Sequence, residues 1–206
     1  MMVLKKCNPA INSVSEGSWR KSENEFRGYE LNGKKIGIIG YGRIGSNLSK
    51  YCKALNMQIC AYDPYVKIED DWVDVCDSID LLIQDVDILT PCVHLDNSTN
   101  NLINRERIFS MKRGSFLINT SRGEVLDEDA LIDAIKSKHL SGCGLDVIHD
   151  EFNTSNKSNK IIKASVSEKN LIISPHIAGL TYESESKAQM AAIKAVFDNL
   201  NIVLKV

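Results

Sequence analysis

Several things are missing from this 206-residue chain. It has no excess of charge: 25 Lys and Arg stand against 27 Asp and Glu, a formal net charge of −2 with a pI near 6.1. That leaves no electrostatic footprint for nucleic acid or an anionic membrane surface. No apolar run exceeds about five residues, far short of the roughly 18 needed to span a bilayer. Met1 to Asn8 carries two lysines with no apolar stretch behind them, unlike a secretory leader. The expectation is a soluble, cytoplasmic chain. The six cysteines, at positions 7, 52, 60, 76, 92 and 143, form no C-x-x-C pair, and no His lies at zinc-finger spacing from two of them. Reduced thiols are expected, with no disulfide framework and no metal site. What remains, 43% hydrophobic and 25% charged, is the composition of a globular domain long enough to bury its own core.

Short β-branched runs alternate with helical patterns, the signature of βα units on a parallel sheet. Strands are expected at Lys35–Ile39, Gln58–Tyr62, Val86–Thr90, Ser115–Asn119, Gly142–Val147 and Leu171–Ser174. The first is followed by a helix with Ile44, Leu48, Tyr51, Cys52 and Leu55 on one face. Ser78 and Asp127 read as N-caps, the latter of a helix burying Ala130, Leu131, Ala134 and Ile135. A short helix is expected over Arg105–Met111, and a closing helix from Thr181 with Met190, Ile193, Phe197 and Leu200 at steps of three, four and three. Asn153 to Lys160, rich in Ser, Asn and Lys, reads as an exposed loop. The first 30 residues read as an irregular polar arm whose large anchors are Trp19 and Phe26. No repeat of solenoid period occurs. The fold class is therefore α/β, a Rossmann-type doubly wound parallel sheet.

Three blocks carry chemistry. Gly40-Tyr41-Gly42-Arg43-Ile44-Gly45 follows a strand and opens a helix, and Asp63 closes the next strand 23 residues after Gly40. That context is the dinucleotide fingerprint. Gly40 makes the turn, Gly42 lets backbone approach a pyrophosphate, Gly45 lets helix meet strand, and the helix N-terminus favours phosphate. Asp63 would accept from the adenosine ribose hydroxyls. It would repel a 2′-phosphate, and no Arg follows Asp63-Pro64-Tyr65 to receive one, so NAD is favoured over NADP. The second block, Asn119-Thr120-Ser121-Arg122-Gly123-Glu124, lies at a strand's carboxyl end, where open α/β sheets bind ligands. Arg122 there could pair with a carboxylate, or equally form a surface ion pair. The third, Ser174-Pro175-His176-Ile177-Ala178-Gly179, places a His able to act as acid or base at the same lip. Alone it could as well be a plain surface His, and Glu151 a solvated loop carboxylate.

Taken together these blocks resemble the nucleotide-binding domain of the D-isomer-specific 2-hydroxyacid dehydrogenases, phosphoglycerate dehydrogenase among them, from Asn32 to about Ser186. The matching stretches are Leu31-Asn32-Gly33-Lys34-Lys35-Ile36-Gly37-Ile38-Ile39-Gly40, Ile118-Asn119-Thr120-Ser121-Arg122-Gly123, Gly144-Leu145-Asp146-Val147 and Ser174-Pro175-His176-Ile177-Ala178-Gly179. The resemblance implies a catalytic set of Arg122, Glu151 and His176, with Arg122 holding the substrate carboxylate, His176 moving the C2 hydroxyl proton and Glu151 orienting the imidazole. It also implies cofactor contacts at Arg43, Ile44, Asp63, Thr99, Thr120, Arg122, Asp146 and His176, with Asp146 towards the nicotinamide. NAD is the implied cofactor, a 2-hydroxy or 2-oxo acid the implied substrate, and a homodimer the implied assembly.

Two departures stand out. The family's separate substrate-binding domain is largely absent, so that residues 1–206 read as one NAD-binding domain with an arm at 1–30, a Rossmann core at 34–180 and a C-terminal helix at 181–206. Cys92 and His94 occupy positions where the family carries His and Pro, on the adenosine side. Three functional readings follow. The first is a dehydrogenase; the second is a truncated NAD-binding module without turnover on its own. The third is an NAD-responsive interaction protein of the corepressor kind, although nothing in the sequence shows a peptide groove.

Overall fold

The computed structural model describes residues 1–19, 23–153 and 159–199. Its elements in chain order are α1 (Cys7–Ser15), β1 (Lys35–Ile39), α2 (Arg43–Ala54), β2 (Gln58–Tyr62), β3 (Val73–Val75), α3 (Ile79–Gln84) and β4 (Ile88–Pro91). There follow α4 (Arg105–Ser110), β5 (Ser115–Asn119), α5 (Glu128–Lys136), β6 (Leu140–Leu145), α6 (Lys160–Ser167), β7 (Leu171–Ile173) and α7 (Tyr182–Asn199). The strands form one parallel sheet in the order β3-β2-β1-β4-β5-β6-β7. Strand order reverses between β1 and β4, and the carboxyl ends at such a switch point are where this architecture binds ligands.

The strands are near-continuous apolar runs because both faces are covered. One layer gathers Ile39, Leu82, Ile83, Leu89, Leu117, Leu131 and Cys143 under α3 to α6. The other gathers Ile36, Ile38, Cys52, Ile59 and Phe116 on the α2 side. Ser78 caps α3 through Leu81 N–H, and Asp127 caps α5 through Ala130 N–H, as their positions predict. The α5 stripe Ala130, Leu131, Ala134 and Ile135 is buried.

Several expectations need correction. The inward face of α2 is Gly45, Ser49 and Cys52, while Ile44 is 68% exposed and Tyr51 and Leu55 are also exposed. The cause is Gly45, whose Cα lies so close to Gly40 that a Cβ would meet its carbonyl oxygen at 2.1 Å. That contact sets the helix phase and turns the larger residues outward. An additional edge strand, β3, was too short to stand out. Two strands are displaced by one or two residues, to Ile88–Pro91 and Leu140–Leu145. Of the Asn153 to Lys160 loop, residues 154–158 lie outside the described residues. Asn159 is an N-cap that accepts from Ile161 N–H, and Lys160 begins α6.

The arm is not anchored by Trp19, which is 74% exposed, nor fully by Phe26. Val3 and Leu4 are its buried residues instead. Val3 fills the space over Gly142 and Gly144, and Tyr29 meets Phe116 edge-on with ring centroids 5.9 Å apart. α7 buries no residue; Met190 and Ile193 are exposed and Leu200 lies outside the described residues. Among the described residues no helix is long and apolar enough to cross a membrane, and no group of three His, Cys, Asp or Glu could hold a metal ion. The six cysteines are free.

Candidate active site

Loops leave the carboxyl ends of β1, β2, β4, β5, β6 and β7 on one edge of the sheet, and the predicted site residues follow those ends, Asp63, Thr120, Arg122, Asp146 and His176 closely and Gly45, Glu151 and Thr99 further along. At the β1 end, Gly40 takes φ +90° and packs so tightly that a Cβ would stand 2.6 Å from the Cys92 carbonyl oxygen. Only glycine fits this turn. Nothing lies within 4 Å of where a Gly42 Cβ would be, and Gly42 caps α2 without a side-chain acceptor for the helix amides. Open space in front of uncapped helical N–H groups is what a pyrophosphate requires.

Asp63, at the β2 end, is held by three backbone donors. Its Oδ2 accepts from Tyr41 N–H at 2.7 Å, and Oδ1 accepts from Tyr65 and Val66 N–H at 2.8 and 3.0 Å. Burial works against its charge, but the three N–H groups outweigh burial and hold the carboxyl below the usual carboxylate range. A carboxylate acceptor thus stands where ribose hydroxyls would arrive. The turn, the open helix end and Asp63 together fit a dinucleotide. Arg43 and Ile44 lie exposed on the first turn of α2. Cys92 replaces a His beside Gly40; burial pushes its thiol up to about 11, so it contributes packing and no charge.

Thr99 belongs to a closed turn after β4. Its hydroxyl donates to the His94 carbonyl at 2.6 Å and accepts from Asp96 N–H at 2.8 Å. Thr120, directly after β5, is exposed. The next residues form a turn built by Asn119, which is fully buried. Its Oδ1 accepts from the Ser121 amide and hydroxyl, and its Nδ2 donates to the Arg122 carbonyl at 2.9 Å. Arg122 is exposed, its Nη1 donating to the Ser121 carbonyl at 2.6 Å. Gly123 presses on the loop after β6: a Cβ there would stand 2.1 Å from the Ile148 carbonyl carbon. Backbone contact therefore ties the Arg122 turn to the segment bearing Glu151.

Glu151 and His176 meet directly. Glu151 Oε1 lies 2.9 Å from His176 Nδ1, with the Glu mostly covered and the His 44% exposed. Glu151 Oε2 is buried without a partner. His176 has left-handed backbone, φ +54°, and its N–H donates to the Asp146 carbonyl at 2.8 Å. Asp146, buried at the end of β6, accepts from Ser174 hydroxyl at 2.5 Å and from Ile177 and Ala178 N–H at 2.9 and 2.8 Å. Burial opposes its ionisation, yet those donors and the nearby His176 bring its pKa below the ordinary value. Asp146 is thus the clamp of the His176 loop, a role beyond the nicotinamide contact expected of it.

Sequence reasoning passed over Asn119, Ser174 and Glu128. Glu128 Oε1 accepts from His149 N–H at 2.7 Å and fastens the Glu151 segment to α5; burial nevertheless raises its pKa. Asn119 and Ser174 were legible only as members of their blocks, since their bonds depend on strands that the fold makes neighbours.

Known proteins resemble this chain in sequence and fold. Residues 1–178 match the family model described as "D-isomer specific 2-hydroxyacid dehydrogenase, NAD binding domain". A hydroxypyruvate reductase of Thermotoga maritima is 35% identical over 190 residues, covering 92% of this chain and 60% of that protein. A D-3-phosphoglycerate dehydrogenase of Archaeoglobus fulgidus is 36% identical over 193 residues, covering 92% of this chain and 35% of that protein. The crystal structure of a D-lactate dehydrogenase from Aquifex aeolicus, complexed with NAD and lactic acid, superposes with a TM-score of 0.87 at 33% identity, covering 97% of this chain and 63% of that one. The chain therefore spans at most about three fifths of these relatives.

Proposed function

We propose that this chain, which belongs to the D-isomer specific 2-hydroxyacid dehydrogenase family and is its NAD-binding domain, contributes the cofactor site and the proton-transfer half of a dehydrogenase acting on a 2-hydroxy or 2-oxo acid. The observation that carries the reading is the 2.9 Å contact of His176 Nδ1 with Glu151, on the sheet edge that also bears Asp63 and Arg122. NAD, when bound, supplies the hydride chemistry. Gly40, Gly42 and Gly45 with Arg43 and Ile44 form its pyrophosphate cradle, Asp63 takes the ribose, and Thr99, Thr120 and Asp146 border the remainder.

The protein's own residues perform the rest. With Nδ1 engaged by Glu151, His176 presents Nε2 to the substrate oxygen. In the oxidation direction Nε2 takes the C2 hydroxyl proton, and in reduction the imidazolium returns it. Glu151 stabilises that imidazolium and fixes the ring. Arg122 pairs with the substrate carboxylate, a bidentate and charge-assisted match, and polarises the C2 oxygen.

A second reading is favoured by one observation. His176 is half exposed, whereas acid–base catalysis with hydride transfer benefits from a closed, water-poor cleft. On that reading the chain alone binds NAD without turnover, and the wall of the cleft comes from elsewhere. Residues 1–206 act as one NAD-binding unit, with the arm at 1–30, the core at 34–180 and a C-terminal segment from 181 that includes α7; the unit works as a homodimer in the cytoplasm. The experiment is NADH oxidation by the purified chain against a panel of 2-oxo acids. Turnover abolished by His176→Ala supports the dehydrogenase reading. NADH binding with no turnover supports the second, and turnover that survives His176→Ala excludes the assignment of His176.

A further inference from the structure

Tyr41 sits between the first two glycines of the turn, at a position the fingerprint leaves free. Its ring is 4% exposed, and its polar groups reach two places in the segment that follows β2. Its N–H donates to Asp63 Oδ2 at 2.7 Å, and its hydroxyl donates to Asp70 Oδ2 at 2.7 Å. The hydroxyl also lies 2.5 Å from Ser49 Oγ on α2, and that oxygen is 2.8 Å from the Ser46 carbonyl. Tyr41 and Ser49 have one hydroxyl proton each for these three contacts. The charged acceptor, Asp70, claims the tyrosine proton. Ser49 directs its own proton to the Ser46 carbonyl or to Tyr41, and in either case the tyrosine hydroxyl is the donor to Asp70. A phenylalanine would fill the same apolar space, so packing alone does not account for the hydroxyl.

Residues 63–72 run from β2 to β3 without helix or strand, so their placement depends on such bonds. Asp63 itself has about four lone-pair positions as a carboxylate, three of them already taken by amides. The direction left for a ribose hydroxyl is consequently set by where this segment lies.

We propose that Tyr41 is a positioning residue for the adenosine half of NAD: its hydroxyl, donated to Asp70 and backed by Ser49, holds residues 63–70 against the glycine turn so that Asp63 faces the ribose. The proposal rests on the reading that Asp63 binds that ribose.

The test is calorimetric titration of the full chain and its variants with NADH and with ADP-ribose, which lacks the nicotinamide. Tyr41→Phe is expected to weaken both ligands by about tenfold, the scale of one hydrogen bond to a charged group. Asp70→Ala should do the same, and Asp70→Asn, which keeps an acceptor but not its charge, should lie between Asp70→Ala and wild type. The double variant Tyr41→Phe with Asp70→Ala should be no weaker than either single one, because both remove the same bond. Unchanged affinity in Tyr41→Phe beside a weakened Asp63→Ala would overturn the proposal alone. So would a loss confined to NADH and absent for ADP-ribose, or additive losses in the double variant. Wild-type affinity in Asp63→Ala would remove the ribose reading and the proposal with it. Melting temperature read in parallel separates these outcomes from a general loss of fold.

Discussion

His176 occupies left-handed backbone, a conformation that costs a non-glycine residue about 1–3 kcal/mol and persists only where its surroundings impose it. Here Asp146 imposes it, with three donors from the same loop on its carboxylate and the His176 amide on its carbonyl. Asp146→Asn turns an NH2 towards groups that need an acceptor and should cost about 2 kcal/mol of stability in urea unfolding. The pH dependence has a definite sign. Asp146 and Asp63 have depressed pKa values when folded, so their contribution is complete above the ordinary carboxylate value and is lost as pH falls through the lower folded ones. Acid unfolding followed by circular dichroism should therefore begin only below about pH 4 for these two groups, and Asp146→Asn should flatten that part of the curve. At this scale the sequence was legible in part. Asp63 could be picked out from the glycine turn and the strand end alone, whereas Arg122 and His176 stood open between a functional and a surface reading and Glu151 was singled out only through the family resemblance. Asn119 and Ser174 were not legible, because a buried serine or asparagine announces itself only through the partner the fold brings to it.

Among the elements, the contact between the Arg122 turn and the Glu151 segment depends on Gly123 having no side chain. Gly123→Ala would drive a methyl into the Ile148 backbone, which cannot yield as a flexible side chain would. A loss of about 3 kcal/mol is expected, of the size of overpacking a core, with NADH binding through the distant Asp63 less affected than thermal stability. The corrected phase of α2 makes a second, milder prediction. Tyr51→Ser, on the exposed face, should change stability by less than about 0.5 kcal/mol, whereas Leu82→Ala in the buried layer should cost about 2–5 kcal/mol. Periodicity misjudged α2 because Ile44, Tyr51 and Leu55 make an apolar stripe beside the one that counts. The deciding residue was a glycine, which hydrophobicity does not weigh. β3 and α6 were missed for other reasons: three residues are too few to show alternation, and a loop rich in Ser and Asn drew attention away from the Asn159 cap.

On the scale of the whole molecule, the parallel order of the sheet brings the loops after all seven strands to one edge, with the glycine turn and Asp63 after β1 and β2 and the His176–Glu151 pair after β6 and β7. The strand pattern and glycine turn made this architecture legible in the sequence. The burial of Val3 and Leu4 in place of Trp19 was not, since it depends on the hollow over Gly142 and Gly144 on a strand more than a hundred residues away. The open side of the edge leaves His176 half exposed, in a chain that spans at most about three fifths of its relatives. The most direct measurement is titration of NADH into the 206-residue chain, with Asp63→Ala and His176→Ala beside it. The account predicts one NADH per chain, an affinity at least tenfold weaker for Asp63→Ala, as loss of a charged acceptor implies, and near wild-type affinity for His176→Ala. An Asp63→Ala variant that binds NADH as tightly as wild type would contradict it.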